Sequence, residues 1–307
     1  MDTTADAQNQ SEWADLAVMD EDSGAVLVLA ARRRRGRLAL QRLMVFLADG
    51  VTLWYNADLG AADHTPELSW AATGRTHRVR LFAHTAEDLE PAEHLVSDPG
   101  PVSFRVPVTL DLTLSPLSLP VPRQRRFPDG GLTGSQTYRA RASLAAGSVI
   151  YDVRGHAWVS HTRFSDRSTE KGARLQAAFQ DGSSMLAAAP NAPGEPGPGA
   201  LQQATDTAPV HVNTFRISGP ARRIPMRVIC QLDAERGGTI LGGYRSLDQH
   251  IAFVEPRPES DGWLRRAYTP YDFARSGVTG FGILEQVTPV STPDSPAVVG
   301  TGIPETF

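Results

Sequence analysis

Short runs in which apolar and polar residues alternate, punctuated by turn residues, fill most of this 307-residue chain. A period of two belongs to a strand with one face on a core, whereas a surface helix repeats every 3.6 residues. "RLALQRLMVFLADGVTLWYNADLG" (37–60) gives two apolar stretches broken at Ala48-Asp49-Gly50, and Asp-Gly between such runs signals a hairpin. "THRVRLFAHT" and "PVSFRVPVTLDLTLSPL" alternate in the same way, and "TYRARASLAAGSVIYDVRGHAWVSHTRF" reads as two strands around Ala146-Gly147. "ARLQAAFQDGSSMLAAA" is a further hairpin with Asp181-Gly182 at its tip, and "RIPMRVICQL", "GGTILGGYRS", "HIAFVEPRP", "GWLRRAYTPYDF" and "VTGFGILEQV" follow. Many short strands with turn chemistry between them predict an all-β protein of sandwich or barrel type. Helical patterning is confined to residues 11–20 and 85–96.

The length accommodates one large β domain or two ordinary ones. Three stretches rich in proline or glycine punctuate it. Residues 115–135 are expected to connect two β units, residues 190–209 to form a loop inside the second, and residues 288–307 to form a tail. The predicted units are residues 20–122 and 133–288, with a flexible tail over 289–307.

Charge and cysteine content narrow the function. The net charge of −4 draws the chain neither to nucleic acid nor to an anionic membrane. Cys230 is the only cysteine, so an internal disulfide and a cysteine-based zinc site are both excluded. The polar, acidic N-terminus lacks the apolar segment of a secretory signal, and no run approaches the roughly 18 apolar residues of a membrane span. A cytoplasmic protein, monomeric or homodimeric, is expected. "RRRR" (32–35) lies between two apolar runs beside Gly36 and reads as a solvated hairpin tip. His64, His77, His84 and His94 are scattered without metal-ligand spacing, and His156 and His161 fall on opposite faces of a strand. No metal or cofactor is expected. Nucleophile-elbow, P-loop and dinucleotide-binding motifs are missing, and the glycines of "GGTILGGYRS" sit inside a strand pattern.

The richest stretch is "YDVRGHAWVSHTRFSD" (151–166). Alternation puts Asp152, Arg154, His156, Trp158, Ser160 and Thr162 on one face and Tyr151, Val153, Ala157, Val159, His161 and Arg163 on the other. Neither is purely apolar. Either the strand is wet on one side, or it walls a cavity. An aromatic surface with a few orienting polar groups, Trp158 between His156 and Ser160, favours the pocket wall.

Gly155-His156-Ala157-Trp158-Val159-Ser160-His161, followed by "ARLQAAFQDGSSMLAAA", resembles the lipocalin-like superfamily of carotenoid hydratases (hydroxyneurosporene synthases) and lipocalin-like Diels–Alderases. "GVTGFGILEQV" (277–287), with Gly280, Gly282 and Glu285, is similar to that group's closing strand, and "RLMVFLADGVTLWY" to a hairpin of its first unit. The resemblance touches most of residues 20–288. It implies two tandem lipocalin-like β-barrel or sandwich units holding a hydrophobic small molecule. Hydratase-like members carry Asp before the histidine, where this chain has Ser160. Protonating an unactivated alkene calls for a strong, positioned acid, which serine is not. Cyclisation asks less: the polyene must be folded into a near-attack geometry and its carbonyl given a hydrogen bond. The expectation is therefore a cofactor-independent cyclase, of intramolecular [4+2] type, acting on a hydrophobic polyene in natural-product biosynthesis. The alternatives are a hydratase or isomerase of a carotenoid or terpenoid, and a non-catalytic carrier. The expected catalytic groups are His161, Tyr244 and Glu285, and the expected lining is Trp158, His156, Ser160, Tyr138 and Phe281.

Overall fold

In the computed structural model the alternating runs become strands. The structure describes residues 11–20, 22–34, 37–47, 49–57, 66–88, 95–96, 105–125, 132–164, 172–189, 197–203, 207–218, 227–234, 237–244, 251–256 and 263–290, and no α-helix occurs among them. The chain divides into two units, Met1–Glu90 with Asp98–Ser168, and Pro91–Ser97 with Thr169–Phe307.

The first unit is built from β1 (Ser11–Asp20), β2 (Val26–Arg34), β3 (Arg37–Phe46), β4 (Thr52–Asn56), β5 (Glu67–Thr73), β6 (Thr76–Asp88), β8 (Arg105–Pro116), β9 (Val121–Arg125), β10 (Leu132–Ala146) and β11 (Val149–Phe164). Antiparallel pairing runs β1-β2-β3-β4-β6-β8-β10-β11, and β11 returns to β1, closing an eight-stranded barrel; β5 and β9 flank β6 and β10. The alternate residues Leu16, Leu29, Leu43, Val79, Leu112 and Val159 point inward and are almost wholly buried in one continuous core. That core fills the barrel with side chains. A gap of about 10 Å³, room for no more than about one water, remains beside Val18, Leu27, Leu110, Leu144 and Val153.

The second unit contains β7 (Leu95–Val96), β12 (Gly172–Phe179), β13 (Ser184–Ala188), β14 (Gly197–Gln202), β15 (Thr207–Ser218), β16 (Arg227–Ala234), β17 (Gly237–Tyr244), β18 (Ile251–Pro256), β19 (Trp263–Arg275) and β20 (Val278–Val290). Strands β12 to β17 pair in sequence; β17 then pairs with β19, β19 with β20 and β20 with β12, so this sheet also closes. Strand β18 pairs with β19 and takes β7 alongside it in parallel. Leu175, Phe179, Met185, Tyr271, Phe273 and Leu284 form an apolar cluster.

Glycines sit where strands approach too closely for a side chain. A Cβ on Gly155 would lie 1.9 Å from the Met19 carbonyl oxygen, and one on Gly282 1.9 Å from that of Gln176. Glycine at such points lets a barrel strand bend against its neighbour. The Asp-Gly hairpin signals hold as well, with Gly50 and Gly182 at φ 89° and 78° in the turns after β3 and β12.

Several expectations are corrected. Residues 11–20 form a strand because Leu16 and Val18 are buried inward while Ala17 and Met19 are buried outward, which erases the alternation. Residues 85–88 end β6 and residues 95–96 form β7; residues 89–94 lie outside the described set. The first unit continues past the expected boundary at 133 to Ser168, since β10 and β11 are the strands that close its barrel. Residues 115–135 therefore connect β8 to β10 within one unit, where Leu117 N–H donates to the Thr137 carbonyl. Residues 197–202 form β14 rather than loop. Pro198 pairs with His211 of β15, while the ladder to β13 starts only at Gly199, so its missing N–H costs that ladder nothing. Strand β20 extends to Val290, and the remainder of the expected tail lies outside the described residues.

Gly155→Ala should cost about 2–3 kcal/mol in urea denaturation, because the β11–β1 contact must spread. Ser143→Ala, on an exposed position of β10, should stay within about 0.5 kcal/mol. Equal stability for the two variants would refute the close approach.

Candidate functional site

Residues 151–164 of the stretch that stood out in the sequence lie on β11, held between β1 and β10, while Ser165 and Asp166 lie outside the described residues. Ala157 pairs with Val18 and Tyr138, Trp158 with Ala17 and Thr137, and His161 with Ala14 and Gly134. No register shift interrupts either ladder, so His156 and His161 do face opposite ways. Val153, Ala157 and Val159 belong to the barrel core. On the outward face Asp152 and Arg154 are exposed, His156 is partly buried, Trp158 is 3% exposed and Ser160 fully buried. The outward residues that continue this face across the sheet, Met19, Val28, Met44 and Trp54, are buried too. The indole Nε1–H of Trp158 has no hydrogen-bond partner among the described residues. A buried donor left unpaired costs about 1–3 kcal/mol, and a ligand carbonyl would satisfy it.

At one end of the same barrel the inward column finishes in a polar, aromatic group that includes two expected site residues, Tyr138 and His161. Trp70 Nε1–H donates to His77 Nδ1 at 3.3 Å. Tyr138 Oη lies 3.2 Å from His77 Nε2 and donates to Gln136 Oε1 at 2.9 Å; Gln136 Nε2–H donates to the Ser118 carbonyl at 2.7 Å. An indole N–H can only donate, so Nδ1 of His77 accepts and the neutral ring carries its proton on Nε2, aimed at Tyr138. The hydrogen bonds thus run in one direction from Trp70 to Ser118. Burial holds the His77 imidazole below its ordinary value of 6.5 and pushes the Tyr138 phenol up to about 12, so both stay neutral at pH 7. His161 is exposed, with its ring 6.0 Å from that of Trp70. Trp70 and His77 were not singled out from the sequence. They meet across the hairpin turn at Gly74, where a Trp and a His flanking a two-strand turn were the available signal.

In the second unit Glu285 is buried rather than solvated. It pairs with Arg174, which donates from Nε, and accepts from Tyr268 Oη at 3.0 Å. The three share one rung across β12, β20 and β19, each no more than 9% exposed. Both carboxylate oxygens are engaged, so Glu285 is a structural acceptor that positions its neighbours. Arg174 and Tyr268 are further polar residues that the sequence reading missed. Phe281 is partly buried on β20, opposite Asp272, which in turn pairs with Tyr244 at the end of β17. The side chain of Tyr244 lies outside the described set. The expected residues therefore divide into three places: Tyr138 with His161, His156 with Trp158 and Ser160, and Glu285 on the same strand as Phe281. No group of three or more His, Cys, Asp or Glu among the described residues is arranged to hold a metal ion. No described helix is long and apolar enough to cross a membrane.

The His77 geometry has a pH consequence. The folded pKa is depressed, so between it and 6.5 the unfolded chain binds the proton first. Stability present above about pH 6.5 is lost as pH falls through that value toward the folded pKa, and Nδ1–H would then confront the Trp70 N–H. Urea titrations at pH 7.5 and 5.5 should show this loss in the native chain and a smaller one in His77→Gln. Equal losses would overturn the neutral-imidazole assignment.

No family model and no curated protein matches the chain. Solved structures do. An AttH-like protein of Nitrosomonas europaea superposes with a TM-score of 0.56 at 15% identity, over 94% of this chain and 96% of its own. CghA superposes at 0.55 and 12% identity over 92% and 89%, and CghA crystallised with Sch210972 at 0.54 and 13% over 91% and 88%. A kievitone hydratase of Nectria haematococca aligns over similar lengths, but its TM-score of 0.46 carries no argument. The likeness spans both units and nearly the whole of each chain, and at such identities it concerns the fold. The all-β, two-barrel lipocalin-like architecture is the fold of this protein.

Proposed function

We propose that this protein is a cofactor-independent cyclase that folds a hydrophobic polyene for intramolecular [4+2] ring closure. The observation that carries the reading is the Nε1–H of Trp158, a neutral donor that is buried and unpaired among the described residues. Such a donor suits a dienophile carbonyl, whose oxygen gains negative charge as the new bonds form. The rung beside it, Ala17, Val28, Met44 and Trp54, suits the hydrocarbon. Apolar contact would supply binding and a fixed folded shape, and the single hydrogen bond would supply differential stabilisation of the transition state.

Two further observations support cyclisation over hydration. Ser160 stands where hydratase-like members have Asp, and Glu285 is committed to Arg174 and Tyr268. Neither is a free acid able to protonate an alkene. The fold shared with CghA, which was crystallised with Sch210972, is compatible with a small organic ligand. The packed core of the first barrel favours a ligand site outside that barrel's interior.

The test is to mix the protein with a linear triene bearing an α,β-unsaturated carbonyl. Polyene absorbance gives the rate, and chiral chromatography resolves the products. Faster cyclisation to one dominant stereoisomer is expected. Trp158→Phe keeps the ring and deletes the donor; it should slow cyclisation about tenfold, or about 1.4 kcal/mol, while keeping polyene binding. Its stability should stay within about 2 kcal/mol of the native chain, because the loss of an unpaired buried donor offsets the gap left by the smaller ring. An unchanged rate with the native chain sinks the cyclase. Binding without acceleration would identify a carrier, and a product one water heavier a hydratase.

A further inference from the structure

The outward face of β6, β8, β10 and β11 is exposed and rich in charge, whereas that of β1 to β4 is mostly buried and mixes apolar residues with Asp15, Arg42 and Asn56. Directly opposed residues on antiparallel strands point the same way, and the registers assemble three rungs. The first is Arg80, Asp111, Ser143 and Asp152; the second is Arg78, Thr113, Arg141 and Arg154; the third is Ser115, Arg139 and His156. The five arginines are exposed. Asp111 is already occupied: Arg78 grips it with two hydrogen bonds of 2.9 and 2.6 Å, and Arg80 Nε lies 3.3 Å away. Arg139, Arg141 and Arg154 have no ion pair with any described residue. Arg141 and Arg154 are direct cross-strand neighbours, an arrangement of like charges that destabilises a sheet. Five arginines against two aspartates leave an excess of three positive charges here, on a chain whose net charge is −4.

The geometry points to a docking surface for an acidic helix of a partner protein, gripped by Arg139, Arg141 and Arg154. Paired strands set Arg141 and Arg154 about 5 Å apart at Cα, and successive outward residues on β10 set Arg139 and Arg141 about 7 Å apart. Carboxylates at i, i+3 and i+4 of a helix are spaced by about 5–6 Å, so one helix face can present an oxygen pair to each guanidinium. Arginine forks bind carboxylates through two parallel hydrogen bonds, a geometry a lysine cannot supply. A nucleic acid fits less well: the patch is only a few strands wide, and its three free cations carry no stacking aromatic between them. The proposal does not depend on the reaction proposed above.

The experiment uses the full chain and a fluorescein-labelled alanine-based helical peptide with glutamates at i, i+3 and i+4, followed by anisotropy. Binding at low salt is expected, weakening about tenfold between about 50 and 200 mM sodium chloride. Arg141→Gln and Arg154→Gln should each weaken it about fivefold or more with the melting temperature unchanged or raised, since a like-charge pair is relieved. Arg33→Gln, in the other arginine run, should change nothing. Three results would overturn the proposal: no peptide binding, equal affinity for the Arg141→Gln chain, or tighter binding of a single-stranded oligonucleotide of equal charge. Equal binding of a proline-broken isomer would overturn the helix as the recognised form.

Discussion

The pairing of β1 with β11 is the constraint from which the first barrel follows. It joins Ser11–Asp20 to residues about 140 positions later, through ten successive pairs from Ser11 with Phe164 to Asp20 with Gly155. With that ladder in place no strand of the ring has an unpaired edge, and a closed sheet is protected from adding foreign strands. Closure also fixes which residues look inward. A slip of one position would send Val159 and Ala157 outward and drive Trp158 and Ser160 into a core with no partner for a hydroxyl. The Met19 carbonyl against Gly155 marks how tightly the two strands meet.

What the sequence could and could not disclose follows from the range of the interactions involved. Asp49-Gly50 and Asp181-Gly182 were legible because a tight turn is decided by its own two residues. So was the alternating strand β8, whose patterning needs only its own side chains. The unit boundary was not legible. Residues 133–164 belong to the first unit because β11 returns to β1, and no local feature of β11 announces a partner so far away. The helical reading of 11–20 failed for a related reason. Leu16, Ala17, Val18 and Met19 are all buried, two on each face, and a strand covered on both sides has no alternation to detect.

The candidate site divides along the same line. Alternation correctly separated His156, Trp158 and Ser160 from Val159 and His161, but it could not say which face would be core. The structure puts the barrel core on the Val159 side and buries the Trp158 side as well. Tyr138 was expected to line a pocket; it takes part instead in a directed chain whose first two members, Trp70 and His77, come from β5 and β6, 61 and more positions earlier. Glu285 was expected among the catalytic groups; instead it accepts from Tyr268 and pairs with Arg174.

Three treatments of polarity on strand faces now stand side by side in one chain. On β12, β20 and β19 a buried cation, anion and phenol satisfy one another, and such a pair tolerates burial only because every partner is present. At the Trp70 end of the first barrel, neutral groups do the same with each donor matched to an acceptor. The Trp158 N–H is matched by nothing described. Arg141 and Arg154 are the exposed counterpart, two like charges set side by side where glutamine would be easier on the sheet. The Trp158 N–H is one of seven buried side-chain nitrogen or oxygen atoms among the described residues that make no hydrogen bond, so what distinguishes it is its place beside an apolar rung rather than its being an isolated exception. The Trp158 N–H and the Arg141–Arg154 pair lie on the outward face of the same barrel and meet at β11, so one strand carries both the donor proposed for a ligand and part of the charge proposed for a partner.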